Sequence, residues 1–356
     1  MRAWKYVAGF SVPLSVFISL FLGGIWSFTA IAYGFVVLPI LESLLPDATR
    51  NLSAAEEELA KKDPLYDIWL YMNVPIQYGL LLFFLWSLEQ GGQTTMELVG
   101  MTLAMGLSCG VTGINVAHEL GHRKPMFEQG LAKALLLTSL YMHFIIEHNR
   151  GHHKRVSTDE DPASARPGEN LYAFWLRSVR DSIASAWDLE ARRMHHEKKE
   201  IWHTDNQMIQ FFALEITLLG TIFFLFGWLP LLLFIAAATM GFLLLETINY
   251  IEHYGLRRRQ KSSGLYERVM PWHSWNSSHI FGRMVLYELT RHSDHHYQAS
   301  RPYQVLRHME QAPQLPAGYP AMMLLSLVPP LWFKVMDKRA AAVMDAHAPE
   351  FQTLSA

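Results

Sequence analysis

Residues 96–122 read MELVGMTLAMGLSCGVTGINVAHELGH. From residue 98 to 117 nothing is charged, a run long enough to cross roughly 30 Å of hydrocarbon as a helix. The run then ends in two imidazoles, His118 and His122. Four residues apart on a helix, they lie one turn apart on one face. A membrane span that ends in paired metal-type ligands indicates both the fold class and where its chemistry lies.

Working outward from this segment, five more stretches have the same apolar character. The spans read as 7–25, 27–45, 66–88, 96–117, 209–227 and 230–250. Overall the chain of 356 residues is 51% hydrophobic and 17% charged, against about 25% charged in soluble domains. The fold class expected is therefore an all-α integral membrane protein of about six transmembrane helices. One membrane-embedded domain, 1–356, carries a cap made from 118–208 and 251–356. The first span is followed at once by a second and lacks a convincing cleavage site, so it does not read as a cleavable signal peptide.

Charge distribution supplies the orientation. Of 30 Lys plus Arg, two precede the first span, three lie in 46–65, thirteen in 118–208 and twelve after residue 250. The alternate connections, near 26, 89–95 and 228–229, have none. By the positive-inside rule, both termini and the histidine-bearing ends belong on the cytoplasmic side of a multi-pass inner-membrane protein. The net charge of −2 gives no basis for nucleic-acid binding. The single cysteine, Cys109, excludes a disulfide framework or a cysteine-based metal site and reads as a small buried residue in a span.

Two cap segments have their own patterns. Leu131–Ile146 is too short and too interrupted for a crossing, and reads as a buried or re-entrant helix. Residues 171–200 read as an amphipathic helix whose apolar stripe is Trp175, Val179, Ile183, Trp187 and Leu189. Pro329-Pro330 breaks the apolar stretch Ala321–Val335, so no seventh crossing is assigned there.

The histidines carry the chemistry. Besides His118 and His122 there are two more boxes, His148/His152/His153 and His292/His295/His296, and a lone His253 just past the sixth span. The spacing places His148 with His152 on one face, and His292 with His295 and His296. All stand at one end of the spans, so convergence requires little extra chain ordering. Imidazole is a common ligand of transition metals, and nine of them exceed what one ion takes. The count suggests two ions, and the nitrogen-rich set suits a redox-active di-iron centre better than four-coordinate structural zinc. Acids and amides nearby are candidates to accept the second ring N–H of a ligating histidine: Asn115, Glu119, Glu147, Asp159, Asp161, Asn249, Glu252 and Asp294. His195, His196, His203, His308 and His347 read as solvated. His143, His273 and His279 stand close enough to the boxes to be considered. The rival reading, an HExxH membrane zinc protease built on His118-Glu119-x-x-His122, would leave six of the nine imidazoles without a role.

Several segments together resemble the AlkB-type integral-membrane alkane 1-monooxygenases. They are Asn115-Val-Ala-His-Glu-Leu-Gly-His122, Glu147-His-Asn-Arg-Gly-His-His153, Glu160-Asp-Pro-Ala-Ser-Ala-Arg166, Asn249-Tyr-Ile-Glu-His-Tyr-Gly-Leu256, Arg291-His-Ser-Asp-His-His296 and Trp272-His-Ser-Trp-Asn276. Membrane fatty-acid desaturases and hydroxylases share the three boxes; the 249–256 segment separates the alkane hydroxylases from them. The resemblance implies two non-haem irons, O2 as co-substrate, and hydroxylation of a linear alkane at its terminal carbon. It implies electrons from an NAD(P)H-dependent reductase through rubredoxin, here a separate polypeptide because a rubredoxin iron needs four cysteines. A related reaction on fatty acyl chains or aromatic methyl groups remains the alternative. Rubredoxins are acidic, so the basic residues beside the boxes are candidates for docking: Arg123, Lys124, Lys154, Arg155, Arg257, Arg258 and Arg259. The same charges also suit topology and anionic lipid. The alkane would enter from the bilayer, and Gly34, on the second span, is a candidate for the channel wall.

Overall fold

The computed structural model describes residues 3–348. The chain ends, assigned above to one side of the membrane, and residues 349–356 of the cap lie outside the described residues. Six helices are long and apolar enough to span: α1 Ala3–Leu22, α2 Gly24–Leu44, α3 Leu65–Gln90, α4 Thr95–Gly121, α7 Gln207–Phe226 and α8 Trp228–His253. Between α4 and α7 come α5 Met126–Leu137 and α6 Leu171–His196, and after segment 254–318, which holds the short helices Ile280–Val285 and His292–Tyr297, come α9 Tyr319–Ser326 and α10 Pro329–His347. The six spans expected from sequence are present, with the first two displaced by about three residues.

The turns explain the short connections. Gly23 and Gly24 have φ of 62° and 51°, and Gly227 has φ 82°. This left-handed backbone is cheap only without a Cβ, so α1–α2 and α7–α8 reverse almost without a loop. Thr94 starts α4 as a capping box: its hydroxyl accepts from Glu97 N–H, and Glu97 accepts from Thr94 N–H. The same Glu97 carboxylate accepts from Gly24 N–H at 2.6 Å, fixing the α1–α2 turn to the start of α4.

Helix α4 is the centre of the bundle. In its most apolar stretch 72% of residues are buried, against 11% for α7. It crosses α8 very closely: a Cβ on Gly241 would lie 2.5 Å from the Cβ of Cys109, and one on Gly110 3.2 Å from the Gly241 carbonyl. Small residues allow such an approach where lipid supplies no hydrophobic drive. Cys109 is fully buried.

Three stretches wind as π-helix: Tyr33–Val37, Cys109–Asn115 and His148–His152. Such turns cluster at functional sites: the second leads into His118, and the third carries His148 and His152.

The cap departs from the sequence reading in two places. Leu131–Ile146 is not one helix. It breaks after Leu137, where Thr138 turns its hydroxyl back on the Leu135 carbonyl and Leu140 takes φ 50°; a four-residue helix, Phe144–Glu147, follows. On α6 the buried line is Phe174, Ser178, Ser182, Ala186 and Glu190, one step off the apolar stripe, whose residues are half-buried. The reason is that α6 packs on polar groups: Ser178 donates to Glu246, and Arg150 donates to Glu190 at 2.8 Å. Pro329 and Pro330 begin a new helix, bent by 120° from α9.

Candidate metal centre

All nine box histidines converge at the C-terminal ends of α4 and α8, and they do so as two sets. His118, His122, His148, His153 and His295 form one; His152, His253, His292 and His296 form the other, each set with its ligand nitrogens within 4.8 Å of one another. Every contact is made by Nε2. In the five-histidine set His148 meets His122 at 3.0 Å and His153 at 3.1 Å, His153 meets His122 at 3.2 Å, and His295 meets both His118 and His153 at 3.1 Å. In the four-histidine set His292 meets His296 at 2.9 Å and His253 at 3.2 Å, and His152 meets His296 at 3.2 Å.

Spacing on a regular helix paired His148 with His152, and the structure separates them. The π-turn at 148–152 sends the His153 N–H to the His148 carbonyl, five residues back. Residues five apart then share a face, so His148 and His153 serve one set and His152 the other. His295 likewise leaves His292 and His296.

The nitrogens fit a metal better than they fit each other. His122, His148 and His153 form a triangle of Nε2 atoms, and a neutral ring has at most one N–H to offer, so three mutual hydrogen bonds at equal quality cannot form. Separations near 3 Å are those expected between adjacent ligands bonded at about 2.1 Å to one ion. Burial first, and mutual repulsion second, hold His148, His153, His292, His295 and His296 well below the usual imidazole value, with His122 at about 4. These rings are therefore neutral, the form that binds metals. His152 differs: burial would lower it, but the Asp161 carboxylate overcomes this and raises it.

Among the candidate acids, Asp161 and Glu252 touch a box histidine. Asp161 is 2.9 Å from Nδ1 of His152, on the far side of that ring from the set, and also accepts from Ser164. Glu252 lies 3.1 Å from Nε2 of His292. The others are held elsewhere. Glu119 accepts from Arg123 and from Tyr303 N–H, Glu147 from Arg155 and Ser185, and Asp294 from Arg301 and Arg307 N–H. Asn249 donates to Glu246 and Asn115 weakly to the Leu286 carbonyl. Asp159 is 69% exposed and pairs with Arg257, which corrects the expectation that it supports a ring.

The remaining histidines separate similarly. His195, His196 and His203 are exposed, whereas His347 stacks on Trp272 at 4.4 Å and His308 Nδ1 is 3.1 Å from the Ser278 hydroxyl. His273 is buried and offers its carbonyl to Nδ1 of His253 at 3.4 Å. His143 is buried against Tyr141 at 4.3 Å, and His279 bonds Ser277.

Of the basic residues, Arg123 is engaged by Asp67, Glu119 and Glu128, Arg155 by Glu147, and Arg257 by Asp159. Arg258 is 7% exposed and donates to backbone carbonyls of Lys154 and Glu267. The Arg259 backbone N–H donates to the Glu267 carboxylate at 2.9 Å. Lys124 and Lys154 are exposed, beside His122 and His153, the two box histidines that are only half-buried.

An apolar cavity ends on the site. Gly34, Phe35, Leu38, Leu107 and Val111 line it, and His118, His148, His292 and Glu252 close it. It is narrow, with a volume of about 70 Å³. A wider apolar groove, with about 450 Å³ by the same measure, runs between α2, α8 and α9 past Trp175, Leu243 and Leu327. Phe35, Leu244 and Met323 line both spaces. Sequence reasoning reached Gly34 alone among these wall residues, and missed Tyr319, whose hydroxyl donates to Glu252 at 2.6 Å. Nothing in the local pattern Gly318-Tyr319-Pro320 signals that contact.

Comparison with known proteins agrees with this geometry. Residues 94–326 match the fatty acid desaturase family. The chain is 38% identical to an alkane 1-monooxygenase of Acinetobacter baylyi over 85% of its own length and 74% of the relative's. It is 39% identical to alkane 1-monooxygenase 2 of Pseudomonas aeruginosa over 94% and 90%, and 35% identical to alkane 1-monooxygenase 2 of Alcanivorax borkumensis over 98% and 93%. With six apolar spans, two converging imidazole sets and these relatives, the chain belongs to the fatty acid desaturase family of membrane enzymes, in the group of the alkane 1-monooxygenases.

Proposed function

We propose that the protein hydroxylates linear alkanes at the terminal carbon, converting R–CH3, O2, two electrons and two protons to R–CH2OH and water. The observation that carries this reading is the narrow apolar cavity that ends on both imidazole sets. Two irons held by the nine histidines would supply the O2 reduction and C–H oxidation. The chain's own residues determine which carbon reacts. A terminal C–H bond is stronger than an internal one, so selectivity comes from orientation: Gly34, Leu38 and Leu107 leave width for one chain and bring its end to His118, His148 and His292.

The substrate partitions into the bilayer by about 0.8 kcal/mol per buried CH2. The lipid-facing groove is its entrance, with Phe35, Leu244 and Met323 as the partition to be crossed. The histidine ends face the cytoplasm of an inner membrane in this reading, which the distribution of Lys and Arg supports. There the electrons arrive from an acidic carrier of the rubredoxin type, reduced by an NAD(P)H-dependent reductase. Lys124 and Lys154, exposed beside half-buried His122 and His153, are the charges free to receive it. The arginines already bonded inward are less suited.

The test is product analysis. Iron-loaded protein in lipid vesicles, given dodecane, O2, reductase and rubredoxin, forms 1-dodecanol. Formation of secondary alcohols in quantity, or turnover of an acyl lipid or xylene in preference, contradicts the assignment.

A further inference from the structure

Helices α9 and α10 do not form a crossing, yet their junction has the features of a turn built for lipid. The two axes differ by 120°, so α10 runs back towards the side from which α9 came. Contacts give the depth. α9 starts level with the end of α8, where the Tyr319 hydroxyl meets Glu252. Beyond its other end, Leu327 lines the lipid-facing groove together with Leu243 and Thr247 of α8, and its carbonyl accepts from the Tyr172 hydroxyl at 2.7 Å. α10 then climbs again. The Trp332 ring lies 5.1 Å from that of Tyr250, and the Met344 sulfur accepts from the Arg257 N–H. Thr247 is six residues before His253, the last residue of α8, so the junction reaches about 9 Å back along that span.

The bend is apolar and uncovered. Leu324, Leu327, Val328 and Leu331 are 39–51% exposed, and Tyr172 and Leu176 of α6 are exposed as well. In water a bend can leave backbone groups open to solvent, whereas in lipid each must find a partner within the protein. Here they do. Pro329 and Pro330 have no N–H to leave unpaired. The Val328 N–H donates to the Leu325 carbonyl at 3.1 Å, and the Val328 carbonyl accepts from the N–H groups of Leu331 and Trp332 at 3.0 Å. Tyr172 takes up the Leu327 carbonyl. Charge follows depth in the same way. Nothing from 319 to 333 is charged, and α10 then exposes Lys334, Lys338 and Arg339, while Asp337 accepts from Tyr254. That order suits acyl chains at the bend and anionic headgroups further along α10.

We propose that α9 and α10 form a re-entrant hairpin whose bend, residues 324–331, is immersed in the acyl chains of the leaflet on the histidine side, with Lys334, Lys338 and Arg339 at its phosphate headgroups. Met323, Leu324 and Leu327 also line the groove between α2 and α8. The bend therefore continues the lipid-facing surface of the spans and keeps the rim of the groove in lipid. That an alkane enters at this rim rests on the function proposed above; the immersion itself does not.

The test places a bimane fluorophore on Leu327→Cys or Leu331→Cys in the full chain, held in nanodiscs of phosphatidylcholine and phosphatidylglycerol. Cys109 is fully buried, so the unsubstituted chain is the labelling blank. Ile216→Cys, exposed midway along α7, is the lipid reference, and Lys338→Cys, exposed on α10, is the water reference. Quenching is read with acyl-brominated lipid and with aqueous iodide. Expected at 327 and 331 is a loss of fluorescence with brominated lipid that matches the loss at 216 and is severalfold greater than at 338, with little loss to iodide. Either position carries the test if the other variant does not fold. Quenching by iodide to the extent seen at 338 overturns the proposal and puts the bend in water. Protection from both quenchers overturns it as well, because a protein surface then covers the bend. Alkane turnover is not part of the readout, so failure of the proposed reaction and failure of the immersion are told apart.

Discussion

The backbone N–H of His153 donates to the carbonyl of His148, five residues back. This one π-turn decides how the second histidine box is divided: His148 and His153 join His118, His122 and His295, while His152 joins His253, His292 and His296. Two centres with different donor counts follow from a local change of helical period.

Asp161 supports His152, and its loss should be felt at the four-histidine set. Asp161→Asn is expected to weaken metal binding there by about 10–100-fold. In a chelator titration, one of the two irons leaves early. Asp159→Asn, two residues away but exposed, leaves the titration unchanged.

Gly34 lines the cavity. A Cβ there would lie 3.3 Å from Leu107 Cδ2, so Gly34→Leu fills the passage rather than a void. The expected result is a fall in kcat/KM of about tenfold or more for a long alkane, equivalent to at least about 1.4 kcal/mol. A short alkane is affected much less and iron content stays the same. Equal losses for both chain lengths would mean that the residue only packs helices.

Lys124 and Lys154 are charges without internal partners among the candidates for donor docking. Reversing both to Glu should raise the KM for rubredoxin severalfold, and most at low ionic strength. kcat at saturating donor and iron content are unchanged. Loss of iron in this variant would show a structural role instead.

Glu288 links the cap to α1. Burial alone would raise its carboxyl, but Lys5, Arg283 and Arg291 hold it down at about 2, with direct contacts from Lys5 at 2.8 Å and Arg283 at 2.6 Å. A depressed folded-state value contributes stability that is fully present above about pH 4.5 and lost as the pH falls toward 2. Thermal unfolding in detergent should therefore show this acid loss in the native protein. In Glu288→Gln the midpoint is lower at neutral pH and less dependent on pH across that window.

The parts of the fold visible in the sequence were those governed by composition. Runs of about 20 residues with almost no charge marked α1–α4, α7 and α8, because lipid imposes one solution on them. Convergence of the histidines followed from their position at span ends. Their division did not, because the spacing of His148 and His152 suits a regular helix and gives no sign of a π-turn. Asp161 and Asp159 are chemically alike and two residues apart; the turn that buries one and exposes the other is tertiary. The same holds for Tyr319, 67 residues from Glu252. Leu131–Ile146 read as continuous because its apolar character persists through a break made by Thr138 and Leu140.

The measurement that bears most directly on the account is the metal content of the purified protein, with Mössbauer spectra of the iron-57 form. Two irons per chain in two unequal environments are predicted, with His253→Ala reducing the content toward one and leaving the five-histidine signal in place. One zinc and no iron, or a content unaffected by His253→Ala, would contradict it.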